Sequence, residues 1–417
     1  MTLSAVPPST LPTDLQDERL SSRTGFRGAV AGTVDRIRGG DLGLLPVVVG
    51  LIIIGAIFQS LNSFFLSSAN LVNLLMECAP VGILALGIVC VLLVGEIDLS
   101  VGSVSGLASA IMAIMFVDNG FPLVVALLAA VATGVVIGWL YGQVYNRLGI
   151  PSFVITLAGL LGFLGLQLFV LGPKGTINLP FNSPLVRFGQ LLFVPAWLSY
   201  LLVLLVGVAF FGTRMLAAQR RRAAGLSARS LSGVAVSAVV FTAALGFAAW
   251  YLNRARGVGW MFVLFVSLVV ATHYALSRTG WGRSLYAVGG NREAARRSGI
   301  NVRAVFTSAF VMCSTFAALG GLLAAGRLAS AAQSSGGGDV NLNAIAAAVI
   351  GGTSLFGGRG SAFAALLGII VIQSISSGLT LLNLDSSIRY MVTGAVVLIA
   401  VALDAVARRS RSSHGRA

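Results

Sequence analysis

Residues 71–94 read LVNLLMECAPVGILALGIVCVLLV, and this stretch carries a single charge, at Glu77. An apolar run of about 20 residues is long enough to cross the hydrocarbon core of a bilayer as a helix. The same pattern recurs along the chain of 417 residues, of which 57% are hydrophobic and only 10% are charged. Soluble proteins carry about 25% charged residues. The composition therefore excludes a water-exposed globular fold and predicts an all-α, polytopic helical membrane protein.

About twelve apolar segments make up one transmembrane domain over residues 43–406. They cover approximately residues 43–61, 71–94, 101–117, 121–146, 152–171, 191–212, 231–252, 258–277, 304–326, 342–356, 361–384 and 388–406. An even number of segments places both chain ends, residues 1–42 and 407–417, on one side of the membrane. Of the 28 basic residues, 22 then fall on that side, and the positive-inside rule makes it the cytoplasm. We therefore expect two mobile cytoplasmic tails.

The net charge of +15 does not indicate a partner nucleic acid, because most arginines lie in short segments between apolar runs. The three cysteines, Cys78, Cys90 and Cys313, lie within apolar runs, which favours small core residues over a disulfide framework. The chain has only two histidines, so a His-based metal site is not expected.

Two helix breaks are rich in glycine. Residues 95–103, GEIDLSVGS, separate the second and third segments, and residues 351–361, GGTSLFGGRGS, follow the short tenth segment. Broken, Gly-rich helices in the two halves of a membrane protein indicate a substrate path. The candidate path residues are the polar residues at these breaks, namely Glu96, Asp98, Ser100, Ser103, Thr353 and Ser354.

Three acids, Glu77, Glu96 and Asp98, lie at or near membrane depth. A carboxylate in that position is costly and has to face protein or water. Three interpretations remain open for such an acid: it binds hydroxyl groups of a polar solute, it accepts a proton in a coupled transporter, or it caps a helix. Asp98 is placed to cap the third segment, because Ser and Gly follow it.

A charged loop over residues 280–300 contains the sequence GGNREAARRSGI at 289–300. Glu293 and Arg297 are four residues apart and are able to pair on one helix face. Ala294 and Ala295 are small enough for a partner to approach closely, and Gly299 is a suitable helix stop. Composition alone is equally typical of a solvated loop whose arginines set the membrane topology.

The order Glu-Ala-Ala, three residues, then Gly resembles the coupling loop of importer permeases of the ATP-binding cassette class. In that loop, a short helix docks into a separate ATPase. The resemblance implies that Asn291, Glu293, Ala294, Ala295 and Gly299 contact such a partner on the cytoplasmic side.

Four stretches are similar to signatures of permeases for ribose, xylose and related sugars, and they occur in the family order. They are residues 95–103, 147–157, 287–302 and 346–360. The similarity covers residues 80–110 and 145–400 apart from a middle stretch. There, residues 191–252 contain a helix pair that is extra relative to ribose-type permeases. Xylose-type permeases are similarly long, so the chain resembles them in its length. A second departure is Glu96, where the family often has Gly.

The resemblance implies the transport subunit of a sugar importer in the plasma (inner) membrane, with a xylose-like pentose as the expected solute. Its partners would be a second permease copy, a cytoplasmic ATPase, an external sugar-binding protein and membrane lipid. The chain is not expected to be an enzyme or to bind a cofactor. A P-loop requires Gly-Lys before Ser or Thr, whereas the only lysine, Lys174, follows Pro173. ATP would therefore bind to the partner.

Two other functional classes remain as alternatives. An ion-coupled secondary transporter would use Glu77, Glu96 or Asp98 as its proton site, and a membrane enzyme would need a clustered polar active site. The Glu-Ala-Ala loop distinguishes the first alternative from the importer, because a secondary transporter has no ATPase to dock.

Overall fold

The computed structural model describes residues 45–228, 230–385, 387, 388, 390–392, 394, 395, 398 and 402. The first half contains α1 (Leu45–Leu61), α2 (Ser68–Leu93), α3 (Val101–Ala113), α4 (Leu123–Leu148), α5 (Ser152–Leu171), β1 (Thr176–Asn178) and α6 (Pro184–Gln190). The second half contains α7 (Ala196–Ala223), α8 (Leu231–Asn253), α9 (Trp260–Arg278), α10 (Gly280–Gly290), α11 (Arg292–Arg297), α12 (Val302–Leu328), β2 (Ser330–Ala332), α13 (Val340–Ile350) and α14 (Ala362–Leu381).

Nine helices in the described part of the chain are long and apolar enough to cross a membrane, and one of them is α3 together with the π-helical segment Ile114–Asp118 that continues it. α1 and α13 are apolar but shorter. Together they correspond to eleven of the twelve segments expected from the sequence, and the helical, membrane-spanning fold class is confirmed. Most of the twelfth segment, 388–406, lies outside the described residues, as do the expected tails at 1–42 and 407–417.

Three element boundaries differ by five or more residues from the sequence-based expectation. α7 begins at Ala196, after Pro195, and continues to Ala223, so that Arg220, Arg221 and Arg222 belong to its last turn. The tenth segment ends as a helix at Ile350, because Gly351 and Gly352 follow it. The sequence also did not indicate the two strands or α6, whose short length leaves no periodic signal.

α2 lies at the centre of the helix bundle. It is apolar on all sides, as expected for a helix surrounded by protein, and its residues from Cys78 to Leu93 are almost all buried. α12 packs beside it and is also largely buried. Cys78, Cys90 and Cys313 are buried free cysteines, as expected for small core residues.

The close contact between α4 and α12 depends on glycines spaced four residues apart on α4. A Cβ added at Gly134 would lie 2.5 Å from the carbonyl oxygen of Ser314, and one at Gly138 would lie 2.5 Å from that of Phe310. One at Gly142 would lie 2.7 Å from Thr307. Small residues at this spacing let two membrane helices pack backbone against backbone.

The helix pair α7–α8 forms a compact unit of its own, over residues 195–257. Within it, the rings of Phe210 and Phe241 stack with centroids 4.7 Å apart, and Asn253 Nδ2 donates to Ser199 Oγ at 2.8 Å. This unit overlaps the stretch 191–252 that the sequence marks as an extra helix pair. The remaining described elements make up the second unit.

β1 and β2 form an antiparallel ribbon in which Thr176 pairs with Ala332 and Asn178 pairs with Ser330. The ribbon follows the C-terminal ends of α5 and α12. It is anchored by the buried Gln167 of α5, whose Nε2 donates to the carbonyl oxygens of Ala332 (2.9 Å) and Ser335 (3.0 Å). The α5 and α12 ends are thereby held together.

Candidate functional site

The break between α2 and α3 is closed by a buried hydrogen-bond network. Asp98 Oδ1 accepts from the backbone N–H of Ser100 at 2.8 Å and from its hydroxyl at 2.7 Å, and both residues are fully buried. Ser100 occupies the N-cap position of α3 that the sequence assigned to Asp98, but its side chain makes no cap hydrogen bond. The Asp98 carboxylate therefore stabilises the turn before the helix.

Tyr141 of α4 completes this network, since its hydroxyl donates to Ser100 Oγ at 2.7 Å. The ring of Tyr141 packs against those of Phe163 and Phe310. Sequence reasoning did not identify Tyr141, which lies in α4 outside the motifs that the sequence marks. Tyr141 therefore joins α4 to the break between α2 and α3.

Glu96 faces a different set of partners. Its Oε1 accepts a hydrogen bond from the hydroxyl of Tyr145 at 2.7 Å and forms an ion pair with the Arg292 guanidinium. Arg292 also donates to the Tyr145 hydroxyl at 2.8 Å and lies over the ring of Phe306, with 4.7 Å to the centroid. The side chains line a cavity of about 530 Å³. This cluster connects the helix break to the first residue of α11.

α11 is the short helix that the sequence predicts in the charged loop. The Asn291 side chain accepts from the N–H of Ala294 at 2.9 Å and caps the helix start. Gly299 follows the helix end with φ +84°, a left-handed conformation that glycine adopts without a steric penalty, which confirms it as the helix stop. Ala294 is exposed, whereas Ala295 is 3% exposed and packs inward.

The exposed face of α11 carries the expected charge pair. Glu293 Oε1 accepts from Arg296 at 2.9 Å and from Arg297 Nε at 3.3 Å, which confirms the predicted four-residue spacing. The hydrogen bond and the charge of Arg296 hold the pKa of the Glu293 carboxyl below its usual value. The face therefore keeps its carboxylate ionised at neutral pH.

The Gly-rich loop 351–361 meets the end of α2 and the end of α10. The N–H of Gly358 donates to the carbonyl oxygen of Leu93 at 2.9 Å. Gly289 packs against both, because a Cβ added there would lie 1.7 Å from the Leu93 oxygen and 2.6 Å from the Gly358 nitrogen. The Tyr286 hydroxyl donates to the Gly360 carbonyl oxygen at 2.9 Å. Both helix breaks and the start of the charged loop therefore meet at one end of the bundle.

The remaining path candidates are buried. Thr353 is 1% exposed, and its hydroxyl has no hydrogen-bond partner among the described residues. Ser354 Oγ accepts from the N–H of Phe356 at 3.2 Å. Ser103 lies in the first turn of α3 and is buried. Their assignment to a solute path stays a prediction.

Glu77 lies apart from the other two acids. Its Oε1 pairs with Nε of Arg327 at 2.9 Å, near the C-terminal end of α12. Among the described residues, no three His, Cys, Asp or Glu side chains are close enough together to hold a metal ion.

The family and the proteins that match this chain are all described as permeases. A permease family described as branched-chain amino acid transport system / permease component matches residues 70–401. The chain is 35% identical over 374 residues to the xylose transport system permease protein of Escherichia coli, covering 88% of this chain and 93% of that protein. It is 33% identical over 356 residues to the ribose import permease protein of Bacillus subtilis, covering 85% and 91%.

A fructose import permease protein of Rhizobium meliloti is 30% identical over 364 residues, covering 87% of this chain and 84% of that protein. No solved structure matches the chain at a significant level. These similarities confirm the predicted resemblance to ribose- and xylose-type permeases and the prediction of a transport subunit instead of an enzyme.

Proposed function

Because the chain belongs to the branched-chain amino acid transport system / permease component family, we propose that it is the membrane-spanning subunit of a sugar importer. The support for a sugar is that the xylose, ribose and fructose proteins align with most of this chain. The family description names branched-chain amino acids, which are therefore the alternative solute to test. Because the xylose permease aligns with most of this chain, a pentose is the first solute to test.

The importer is driven by ATP on a separate subunit. The only lysine of this chain, Lys174, follows Pro173 and belongs to no P-loop. The exposed face of α11, with Ala294 beside Glu293, is the docking surface for the ATPase. An external binding protein delivers the sugar, and a second copy of the chain completes the membrane part.

The observation that carries this proposal is the connection of Arg292 to Glu96 and Tyr145. Arg292 is the first residue of α11, and Glu96 lies in the break that leads into α3. When the ATPase subunits close, they displace α11. The ion pair transmits that displacement to the break, and the contact of Gly289 with Leu93 transmits it to the end of α2. Closure of the ATPases thereby changes which end of the bundle is open.

The proposed location is the plasma (inner) membrane, with both chain ends and α11 in the cytoplasm. The support is the excess of basic residues on that side. The β1–β2 ribbon then lies at the external end of the bundle. Lipid covers the apolar outer faces of the helices, such as the exposed Val239 and Phe247 of α8.

An ion-coupled secondary transporter is less well supported. Of its three possible proton sites, Glu96 pairs with Arg292 and Glu77 pairs with Arg327. Both carboxylates are therefore occupied by an ion pair with an arginine. Asp98 is closed off by Ser100 and Tyr141.

The test is uptake of labelled D-xylose into vesicles that contain this chain, its partner ATPase and the binding protein. We expect uptake to require ATP hydrolysis and to stop when the catalytic glutamate of the ATPase is replaced by glutamine. Uptake that persists without any ATPase, and that collapses when the proton gradient is removed, would show that the importer assignment is wrong.

A further inference from the structure

An open cavity of about 890 Å³ lies where the end of α4, the end of α9 and the starts of α10 and α12 come together. We refer to it as the arginine cavity, after Arg147 of α4 and Arg303 of α12, which both line it. It shares Asn146 with the smaller cavity of the candidate site, but Glu96 and Arg292 line only the smaller one. The arginine cavity is therefore a separate space beside the candidate site.

The arginine cavity carries two positive charges and no negative charge. Arg147 lies in the last turn of α4 and Arg303 in the first turn of α12. Neither guanidinium forms an ion pair within the described part of the chain. None of the lining residues is Asp or Glu, and the sequence has no acid between Asp118 and Glu293, so α4, α9 and α10 supply no carboxylate. The cavity is therefore suited to an anion, and arginine binds phosphate with two parallel hydrogen bonds.

Hydrogen-bond donors lie one helical turn from each arginine. Gln143 precedes Arg147 on the same face of α4, and Thr307 follows Arg303 on the same face of α12. Thr307 Oγ1 accepts from Asn146 Nδ2 at 2.9 Å, which leaves its own hydrogen available for another acceptor. Asn146 Nδ2 also donates to the Arg303 carbonyl oxygen at 3.0 Å and so holds the ends of α4 and α12 together.

The lining becomes apolar farther along α12. Val311 follows Arg303 by about two turns, which places it about 12 Å along the helix axis toward the membrane interior. Ala275 of α9 adds a second apolar group. Trp281 of α10 also lines the cavity, and its Nε1 donates to Ser308 Oγ at 2.8 Å. Tryptophan is enriched where a membrane protein meets the lipid headgroups. The order of charge, hydroxyl and apolar surface matches a phospholipid, whose phosphate is followed by ester groups and an acyl chain.

A ligand reaches these groups in the conformation that the structure shows. Arg147 and Arg303 are exposed, and Thr307, Val311 and Ala275 are only partly buried. The volume lies within the range of about 300–1,000 Å³ that is typical of small-molecule sites. Basic pockets between transmembrane helices on the cytoplasmic side are typical sites for acidic lipid headgroups. A zwitterionic headgroup fits less well, because no lining carboxylate would pair with its ammonium group.

We propose that the arginine cavity binds an anionic phospholipid, with the phosphate held by Arg147 and Arg303 and an acyl chain lying against Val311 and Ala275. The site goes beyond the proposed function, because lipid binding depends neither on the transported solute nor on ATP hydrolysis. The bound lipid connects α4, α9, α10 and α12 beside the charged loop. A ligand that binds only the folded chain also stabilises it.

Removal of the arginines tests the headgroup site. The full-length chain is purified in mild detergent and titrated with phosphatidylglycerol, and the bound lipid is measured by native mass spectrometry. Arg147→Gln and Arg303→Gln should each weaken binding about fivefold, and the double variant about 25-fold. The matched control is Arg214→Gln on α7, which removes an exposed arginine that does not line the cavity. An equal loss in Arg214→Gln would show that phosphatidylglycerol responds only to the overall positive charge, and the site would be refuted.

Competition distinguishes a lipid from a soluble phosphate compound. A large excess of sn-glycerol 3-phosphate, which has the phosphate but no acyl chain, should not displace phosphatidylglycerol. Displacement would instead identify a site for soluble phosphate compounds and overturn the assignment to lipid. Phosphatidylcholine should bind more weakly than phosphatidylglycerol to the wild-type chain. Equal binding of the two lipids would contradict the selection of an anionic headgroup.

A bulky side chain in the apolar part tests the position of the acyl chain. Ala275→Phe should weaken binding of phosphatidylglycerol although both arginines are present. Ala271→Phe is the matched control, because Ala271 lies one turn earlier on α9, is exposed and does not line the cavity. Wild-type binding by both phenylalanine variants would show that the acyl chain does not occupy the cavity. The glutamine variants change exposed side chains and should fold normally, so they test the site even if Ala275→Phe lowers the abundance of the protein.

Discussion

Arg292 and Glu96 are 196 positions apart in the chain and form an ion pair that joins α11 to the break between α2 and α3. The two partners differ in exposure, with 51% of the Arg292 side chain accessible but only 10% of the Glu96 side chain. Loss of the arginine therefore leaves a nearly buried carboxylate, whereas loss of the carboxylate leaves a guanidinium that water can solvate. The two single substitutions should consequently have unequal effects.

Arg292→Ala should be more harmful than Glu96→Gln, in stability and in uptake. We expect a loss of about 1–3 kcal/mol for Arg292→Ala, the size of a charged hydrogen bond whose partner is left unsatisfied. The exchange Arg292→Glu with Glu96→Arg should recover part of the uptake lost in Arg292→Glu. Thermal unfolding in detergent and sugar uptake are the measurements. Lys174→Ala is the control, since it removes an ion pair with Asp118 that lies outside α11 and whose lysine side chain is 62% exposed. Equal effects of both single substitutions would contradict the asymmetry.

Gly289→Ala should disrupt the contact between α10, the end of α2 and the Gly-rich loop. The added methyl group would overlap the Leu93 carbonyl oxygen, and overpacking of this kind costs about 1–3 kcal/mol or more. Gly290→Ala is the matched control, because a Cβ there has no neighbour within 4 Å. Alanine also has the higher helix propensity. We expect a lower melting temperature and reduced uptake for the first variant alone. Similar melting temperatures for both would show that the end of α10 is loosely packed.

Ala294→Arg and Ala295→Arg should fail in different ways. Ala294 is exposed, so the first variant should fold and reach the membrane but should not couple ATP hydrolysis to uptake. Ala295 is 3% exposed, so the second variant places a long charged side chain in a packed position and should lower the abundance of folded protein. The checks are membrane abundance, ATPase activity and uptake in the same vesicles. Normal coupling in Ala294→Arg would remove α11 as the docking surface.

Asp98→Ala should impair folding and uptake more than Asp118→Ala. Asp98 is fully buried and accepts two hydrogen bonds from Ser100. Asp118 instead forms a partly exposed ion pair with Lys174 at 2.8 Å, and such pairs contribute about 0–1 kcal/mol. Asp98→Asn keeps an acceptor oxygen and should recover most of the abundance. A proton-binding role for Asp98 would instead make Asp98→Asn abundant but inactive, so abundance and uptake have to be measured together.

Cysteines introduced at Ser22 and Ser413 test the topology of the two chain ends, both of which lie outside the described residues. With both ends in the cytoplasm, neither cysteine should react with an impermeant thiol reagent in intact cells, and both should react after the cells are opened. The buried native cysteines provide a low background. Reaction of either cysteine from outside would contradict the arrangement of twelve segments.

Much of the local structure was predictable from the sequence because its causes lie within a few residues. The pairing of Glu293 with Arg297 and the helix stop at Gly299 each involve residues no more than four positions apart. The apolar segments were also predictable, since about 20 residues without charge are sufficient to cross a bilayer. These features establish a polytopic membrane protein with a short helix in its charged loop.

The three-dimensional site needed the tertiary structure. Tyr141 closes the Asp98 network from 41 residues beyond Ser100, and Asn341 donates to the Leu99 carbonyl oxygen from 242 positions further along the chain. A soluble amphipathic helix reveals its inner face through its polar outer face. A helix in lipid is apolar on both faces, and its contacts depend on close packing of small residues such as Gly138. The sequence by itself therefore determined which segments cross the membrane. Only the packing of those segments decided that Glu96 pairs with Arg292 and where the bundle leaves a cavity.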